Sequence, residues 1–306
     1  MKTPAHKAAQ SAAERREAYA ARVLDFDAVL AILERHAWTS LGLRAVRELA
    51  PLEYNAAKAA LARAKEALEL TSYGDAPSFS GVSDPLPALT HARKAGRALE
   101  DDQVVALQAF CEACERIGIW LEDRSERAPV IAGMRRELPS FTTLRERIEA
   151  TVDERGRVRE HASPLLWRLR KEETELSNQL DKLLRTYIGR ADIKAVLSDP
   201  NPQRRSGRAV LAVKTKSASR VRGIVHDRSS SGETVFIEPH EAIAIGNRYT
   251  ECQSDERREV ERILLELTRA VLEAQPELDR AASRLAELEL AFIGARWARE
   301  ADARPA

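Results

Sequence analysis

The chain has 306 residues, of which 44% are hydrophobic, 32% charged and only 5% aromatic, with 13 glycines and 13 prolines spread over its length. Long, charge-covered helices satisfy that balance; an all-β sandwich, which needs turn residues at short regular intervals, is excluded. Lys+Arg 49 against Asp+Glu 48 leaves a net charge of +1, so no global field recruits nucleic acid or membrane, and any electrostatic site must be a local cluster.

Residues 1–22 are Ala-rich with Lys2, Lys7, Arg15 and Arg16 but carry no apolar h-region, and Glu14 and Glu17 argue against an organellar transit peptide. They are expected to form a disordered tail. Leu24, Phe26, Val29, Leu30, Ile32 and Leu33 predict a first amphipathic helix, with Asp25 placed to cap it. A second helix is expected over Ser40–Ala50, and a long Ala-rich one from Pro51 to the turn Ser72-Tyr73-Gly74. A loop over 72–87 precedes helices at Leu86–Arg93 and Glu100–Asp123. Val104, Leu107, Phe110, Ile117 and Leu121 share one face of the latter, and Pro129 and Pro139 bracket a further short helix. These elements predict a helical core domain over 23–160.

Ser163-Pro164 reads as a helix N-cap followed by proline at the first helical position. From there Leu169, Leu176, Leu180, Leu183 and Tyr187 form a heptad-like seam interrupted by Glu172 and Glu173, which predicts a helix over 164–188 about 37 Å long at ~1.5 Å per residue. At Asp199-Pro200-Asn201-Pro202 the helical period stops. The short β-branched runs Arg208–Val213, Arg220–His226 and Thr234–Ile237 then predict two or three antiparallel strands. Helix resumes after Pro239, with Val260, Ile263, Leu264, Leu267, Val271 and Leu272 as its seam, until Pro276 breaks or kinks it; a last helix covers Leu278–Arg299. The fold class expected is mainly α: a helical core and a long antiparallel two-helix arm over 161–275. The arm bears a small antiparallel β tip at about 200–238, and the stretch 276–306 returns to the core.

Charge segregation appears at this tip. Between Asn201 and Gly232 lie Arg204, Arg205, Arg208, Lys214, Lys216, Arg220, Arg222 and Arg228, eight bases against the single acid Asp227, a local formal charge of +7. Such density on short strands and loops suits nucleic-acid phosphates, whose neutralisation releases counterions. With only Phe236 nearby for stacking, backbone contact is expected rather than base reading. The bland reading is a solvated basic hairpin.

Other candidates are weaker. Cys111, Cys114 and Cys252 are too few for a disulfide framework and point to a reducing compartment, the cytoplasm. Cys111 and Cys114 sit at i, i+3 in a helical pattern without a second ligand pair, so helix packing explains them better than zinc. His6, His36, His91, His161 and His240 each stand alone. His226-Asp227 before Ser229-Ser230-Ser231-Gly232 hints at a nucleophile constellation, yet strand neighbours point to opposite faces and cannot orient one another. Lys214-Thr215 lacks the glycines of a phosphate-binding loop, and neither a dinucleotide fingerprint nor H-E-x-x-H occurs. No catalytic or metal residue is expected. No apolar stretch is long enough to span a bilayer.

The run Gly223-Ile-Val-His-Asp-Arg-Ser-Ser-Ser-Gly-Glu-Thr-Val-Phe-Ile-Glu-Pro239 resembles the lever and clamp region of the MutS superfamily, specifically the second bacterial branch of Smr-bearing MutS paralogues. Leu24-Asp-Phe-Asp27, Val158-Arg-Glu-His-Ala-Ser-Pro164 and Gly207-Arg-Ala-Val-Leu-Ala-Val213 are similar to the same branch, so the resemblance covers about residues 23–300. It implies clamping on branched DNA or on the ribosomal RNA of collided ribosomes, linked to recombination suppression, DNA repair or ribosome rescue. Homodimerisation, and ATP with Mg in an ATPase segment and nuclease chemistry in an Smr domain, are implied for the full-length family. Residues 1–306 hold neither segment and no mismatch-reading domain. They are expected to act as the non-catalytic core, lever and clamp, with no cofactor of their own and DNA or ribosomal RNA as partner. The alternative is a helical dimerisation scaffold with no direct nucleic-acid contact.

Overall fold

The computed structural model describes residues 19–20, 22–205 and 207–303; most of the expected tail over 1–22, including Lys2, His6, Lys7, Arg15 and Arg16, lies outside them. In chain order the elements are α1 (Phe26–Glu34), α2 (Ser40–Arg47), α3 (Tyr54–Ser72), α4 (Leu86–Ala95), α5 (Asp101–Glu122), α6 (Pro129–Gly133), α7 (Thr142–Thr151), α8 (Pro164–Gly189), α9 (Ala191–Lys194), β1 (Leu197–Arg205), β2 (Arg208–Lys214), β3 (Gly223–Arg228), β4 (Thr234–Pro239), α10 (His240–Glu273) and α11 (Gln275–Glu300). The fold is mainly α with one small antiparallel sheet. Two compact units divide it, one from 1–157 with 267–306 and one from 158–266.

In the first unit α11 is the centre, packing on α2 and α3 through Leu278, Leu285, Leu288, Phe292 and Ile293, with Ala281, Ala282, Ala291 and Ala295 letting neighbours approach closely. Buried Glu289 accepts hydrogen bonds from the backbone N–H groups of Trp38 at 2.7 Å and Thr39 at 2.9 Å, and from the Thr39 hydroxyl. Its negative charge therefore sits against the N-terminus of α2, where orphan donors and the helix dipole favour an anion. Gly42 makes this possible, since a Cβ there would overlap the Glu289 carboxylate. On α5 the apolar face is buried as its spacing predicts, and Cys111 and Cys114 lie within it; burial, the first cause, pushes the Cys111 thiol up to about 12. Among the described residues no group of three or more His, Cys, Asp or Glu could hold a metal.

Three local expectations for this unit need correction. Asp25 does sit at the α1 N-cap, but in the left-handed region (φ 51°) with no side-chain hydrogen bond; its backbone carbonyl accepts from Ala28 and Val29 instead. The long Ala-rich helix begins at Tyr54, three residues past Pro51, with Glu53 as N-cap. Thr142–Thr151 forms a further helix where only the short one between Pro129 and Pro139 was expected; Leu144 and Ile148 bury its inner face.

In the second unit α8 starts as predicted, Ser163 Oγ accepting from Leu166 N at 3.0 Å with Pro164 at the first turn. It runs antiparallel to α10: Ser163 Oγ meets Glu259 at 2.6 Å, the Cys252 thiol meets the Leu169 carbonyl at 3.2 Å, and Arg248 pairs with Glu172 at 2.6 Å. Glu172 and Glu173 interrupt the apolar seam because they are the polar half of this pairing, Glu173 accepting from Gln253 at 2.9 Å. Leu184 rather than Leu183 occupies the fully buried seam position beside Leu180 and Tyr187.

The sheet has four strands in the order β1-β2-β4-β3, not two or three. β1 escapes the period analysis because it contains Pro200 and Pro202. An edge strand tolerates prolines, and here its register with β2 shifts between Asp199 and Gln203. The third strand begins at Gly223, since Thr215–Arg220 forms a 3-10 turn. Ala209, Leu211 and Val213 of β2, with Val235 and Ile237 of β4, form one core with Leu180, Leu184 and Tyr187 of α8. Each large apolar side chain buried there contributes roughly 1.5–3 kcal/mol. Alternation sends Val210, Ala212 and Phe236 to the opposite face, where they cluster separately.

Candidate nucleic-acid interface

The edge hairpin β3–β4 closes over Ser229-Ser230-Ser231-Gly232. Gly232 takes φ +72°, its N–H donates to the Ser229 carbonyl at 2.8 Å, and Ser229 Oγ accepts from Thr234 N at 3.1 Å. The Ser229 hydroxyl therefore builds a turn. Gly223, opening β3, must lack a side chain because a Cβ would overlap the Glu238 carbonyl across the ladder. His226 does not pair with Asp227. It sits at a register shift in β3 and places Nε2 2.6 Å from Glu238 Oε2 on the neighbouring strand.

Glu238 is 1% exposed, and its other carboxylate oxygen lies 3.6 Å from Arg208 Nη1. Arg208 Nη1 in turn donates to Asn247 Oδ1 at 2.7 Å. A Cβ on Gly246 would stand 2.6 Å from the carboxylate, so this glycine lets α10 close over it. One buried charge thus ties β2, β3, β4 and α10 together, and breaking such a set strands a charge. Sequence reasoning missed it; the signal was the alternation Val235, Ile237 against Phe236, Glu238, which puts the glutamate on the far face from the main core.

The eight predicted cations separate into three groups. Arg204 is held against the helix pair, Nη2 donating to Ser177 Oγ at 2.8 Å and the guanidinium 4.8 Å from the centre of the Tyr249 ring; Arg208 is committed to Glu238 and Asn247. Arg205 stacks 4.4 Å over Phe236, exposed on its outer side, and Lys214 Nζ donates to the Ala195 carbonyl at 3.4 Å. Lys216, Arg220, Arg222 and Arg228 are exposed and make no ion pair among the described residues. The last three frame or end β3, which is exposed at all six positions.

An antiparallel helix pair carrying a small sheet with unpaired cations at its edge defines a phosphate-facing arm-and-tip module. No known protein-family profile matches the chain. Over 281 residues it is 31% identical to "Endonuclease MutS2" of Thermotoga neapolitana, over 295 residues 32% identical to that of Gemmatimonas aurantiaca, and over 260 residues 34% identical to that of Symbiobacterium thermophilum. These alignments cover 91%, 94% and 84% of the chain, but only 36%, 36% and 32% of the relatives, so the chain spans about a third of their length. It belongs to the second bacterial MutS branch. No helix among the described residues is long and apolar enough to cross a membrane.

Proposed function

We propose that this chain is the nucleic-acid-engaging core, lever and clamp part of a MutS2-type protein, with the β tip as the surface that meets phosphates. The observation that carries the reading is the set of exposed cations Arg205, Lys216, Arg220, Arg222 and Arg228 around the sheet edge, four of them without an acidic partner among the described residues. Charge left unpaired at this density suits a polyanion and serves no evident folding purpose. The relatives' name, endonuclease, describes proteins that act on nucleic acid and supports the same reading. Lys214 joins the surface by exchanging its single carbonyl contact; Arg204 and Arg208 position the sheet from within.

Branched DNA, in recombination suppression or repair, and the ribosomal RNA of collided ribosomes offer the same phosphate chemistry to this surface. Competition binding with the two as probes separates them. The test of the reading itself is duplex binding by the intact chain titrated against salt, compared with the triple variant R220A/R222A/R228A. Weaker binding with a flatter salt dependence in the variant supports it. Equal affinity and equal salt dependence return the tip to a solvated hairpin.

A further inference from the structure

β3 departs from the usual protection of an edge strand in one respect. Short length, flanking charge and a register shift all blunt an edge, and β3 has each. Yet its first half carries two adjacent β-branched apolar residues in the open, Ile224 at 48% and Val225 at 47% exposure. Ile224 lies opposite Glu238 and Val225 opposite Ile237, so they leave the strand on opposite faces, and both stay accessible because no strand lies beyond β3. Arg222 precedes the pair and Arg228 follows it. Isolated exposed apolar residues are ordinary, but an adjacent pair at an open edge between unpaired cations is a composite surface.

We infer that Ile224 and Val225 form the non-ionic part of the contact, packing against base edges while the flanking arginines hold phosphates. This rests on the tip being the nucleic-acid surface. Aliphatic side chains set among cations are the chemistry by which proteins enter a groove or part a base step, and the cost falls where bases are already unstacked. The ligand class that fits is therefore nucleic acid with accessible bases, at a junction, bubble or unpaired loop, in preference to a straight duplex of equal charge. A second copy of this strand fits less well, since pairing β3 with itself sets arginines against arginines.

The test compares a straight DNA duplex with a duplex of equal length bearing an internal unpaired bubble, so that the phosphate count is constant. The wild-type chain should prefer the bubble by about tenfold, the scale set by burying two half-exposed aliphatic side chains. The variant I224T/V225T keeps β-branching and should lose that preference while retaining the wild-type salt slope. Single I224T, and methyl NMR of Ile224 in the wild-type chain on adding bubble DNA, serve if the double variant fails to fold. Equal binding of both probes by wild type and variant, or an unmoved Ile224 methyl signal, overturns the inference. So does sedimentation showing that the substitutions change self-association instead. If R220A/R222A/R228A leaves the salt slope unchanged, the underlying phosphate reading has failed, a result distinguishable from loss of the bubble preference alone.

Discussion

Replacing Arg220, Arg222 and Arg228 together by alanine tests the division of the tip cations quantitatively. Six of the eight are accessible, and Arg204 and Arg208 are held by the fold. If about four of the six reach phosphate at once, the slope of log K against log salt on duplex DNA is near −3.6, at roughly −0.9 per neutralised phosphate. Between 50 and 200 mM salt the wild-type chain then loses about 150-fold in affinity. With all three arginines in contact, their removal flattens the slope by up to about 2.7, so the same salt change costs the variant only about threefold to fourfold. Arg204→Ala is the internal control. It should leave the slope unchanged while lowering stability by about 1 kcal/mol, from the lost Tyr249 stacking and Ser177 hydrogen bond. Fluorescence anisotropy across a salt series, with thermal melting of each variant, reads both quantities. A wild-type slope in the triple variant, or a flattened one in Arg204→Ala, refutes the division.

Further outcomes follow from the interior. Hydrogen bonds from Arg262, then Ser163, hold the Glu259 carboxyl down to about 2 from 4.5, so the stability it contributes is fully present above pH 4.5 and is lost as pH falls toward 2. Discounted for the half-exposed Arg262, this is about 1–2 kcal/mol, and Glu259→Gln should flatten the acid limb of the unfolding midpoint over that window. Gly42→Ala forces a methyl into the Glu289 carboxylate and should cost roughly 2–3 kcal/mol in denaturant unfolding. Burial raises the thiols of Cys111, Cys114 and Cys252, so the native chain should resist a thiol reagent at pH 8 and react only on unfolding.

What could be read from the sequence was whatever depends on local spacing. The Ser163-Pro164 start, the Gly74 turn after α3, the buried face of α5 and the cluster of tip cations needed only neighbours within a turn or a hairpin. β1 was hidden because Pro200 and Pro202 punctuate it, and only the tertiary context makes it an edge strand that accepts them. The same holds for the site. That Arg204 stacks on Tyr249 and Arg208 serves Glu238 depends on partners 45 and 30 residues away, so composition counts eight equivalent cations where the fold leaves six accessible. His226 was judged against its neighbour Asp227; its partner lies 12 residues on, across the hairpin.

Hydrogen–deuterium exchange of the intact chain with and without a DNA duplex tests most directly whether the tip is where nucleic acid is held. The account predicts slowed exchange in the Thr215–Arg220 turn, in β3 and in the 229–233 turn, with α3 and α5 unchanged. Protection confined to 22–157 or 267–303, or none at the tip under saturating duplex, would contradict it.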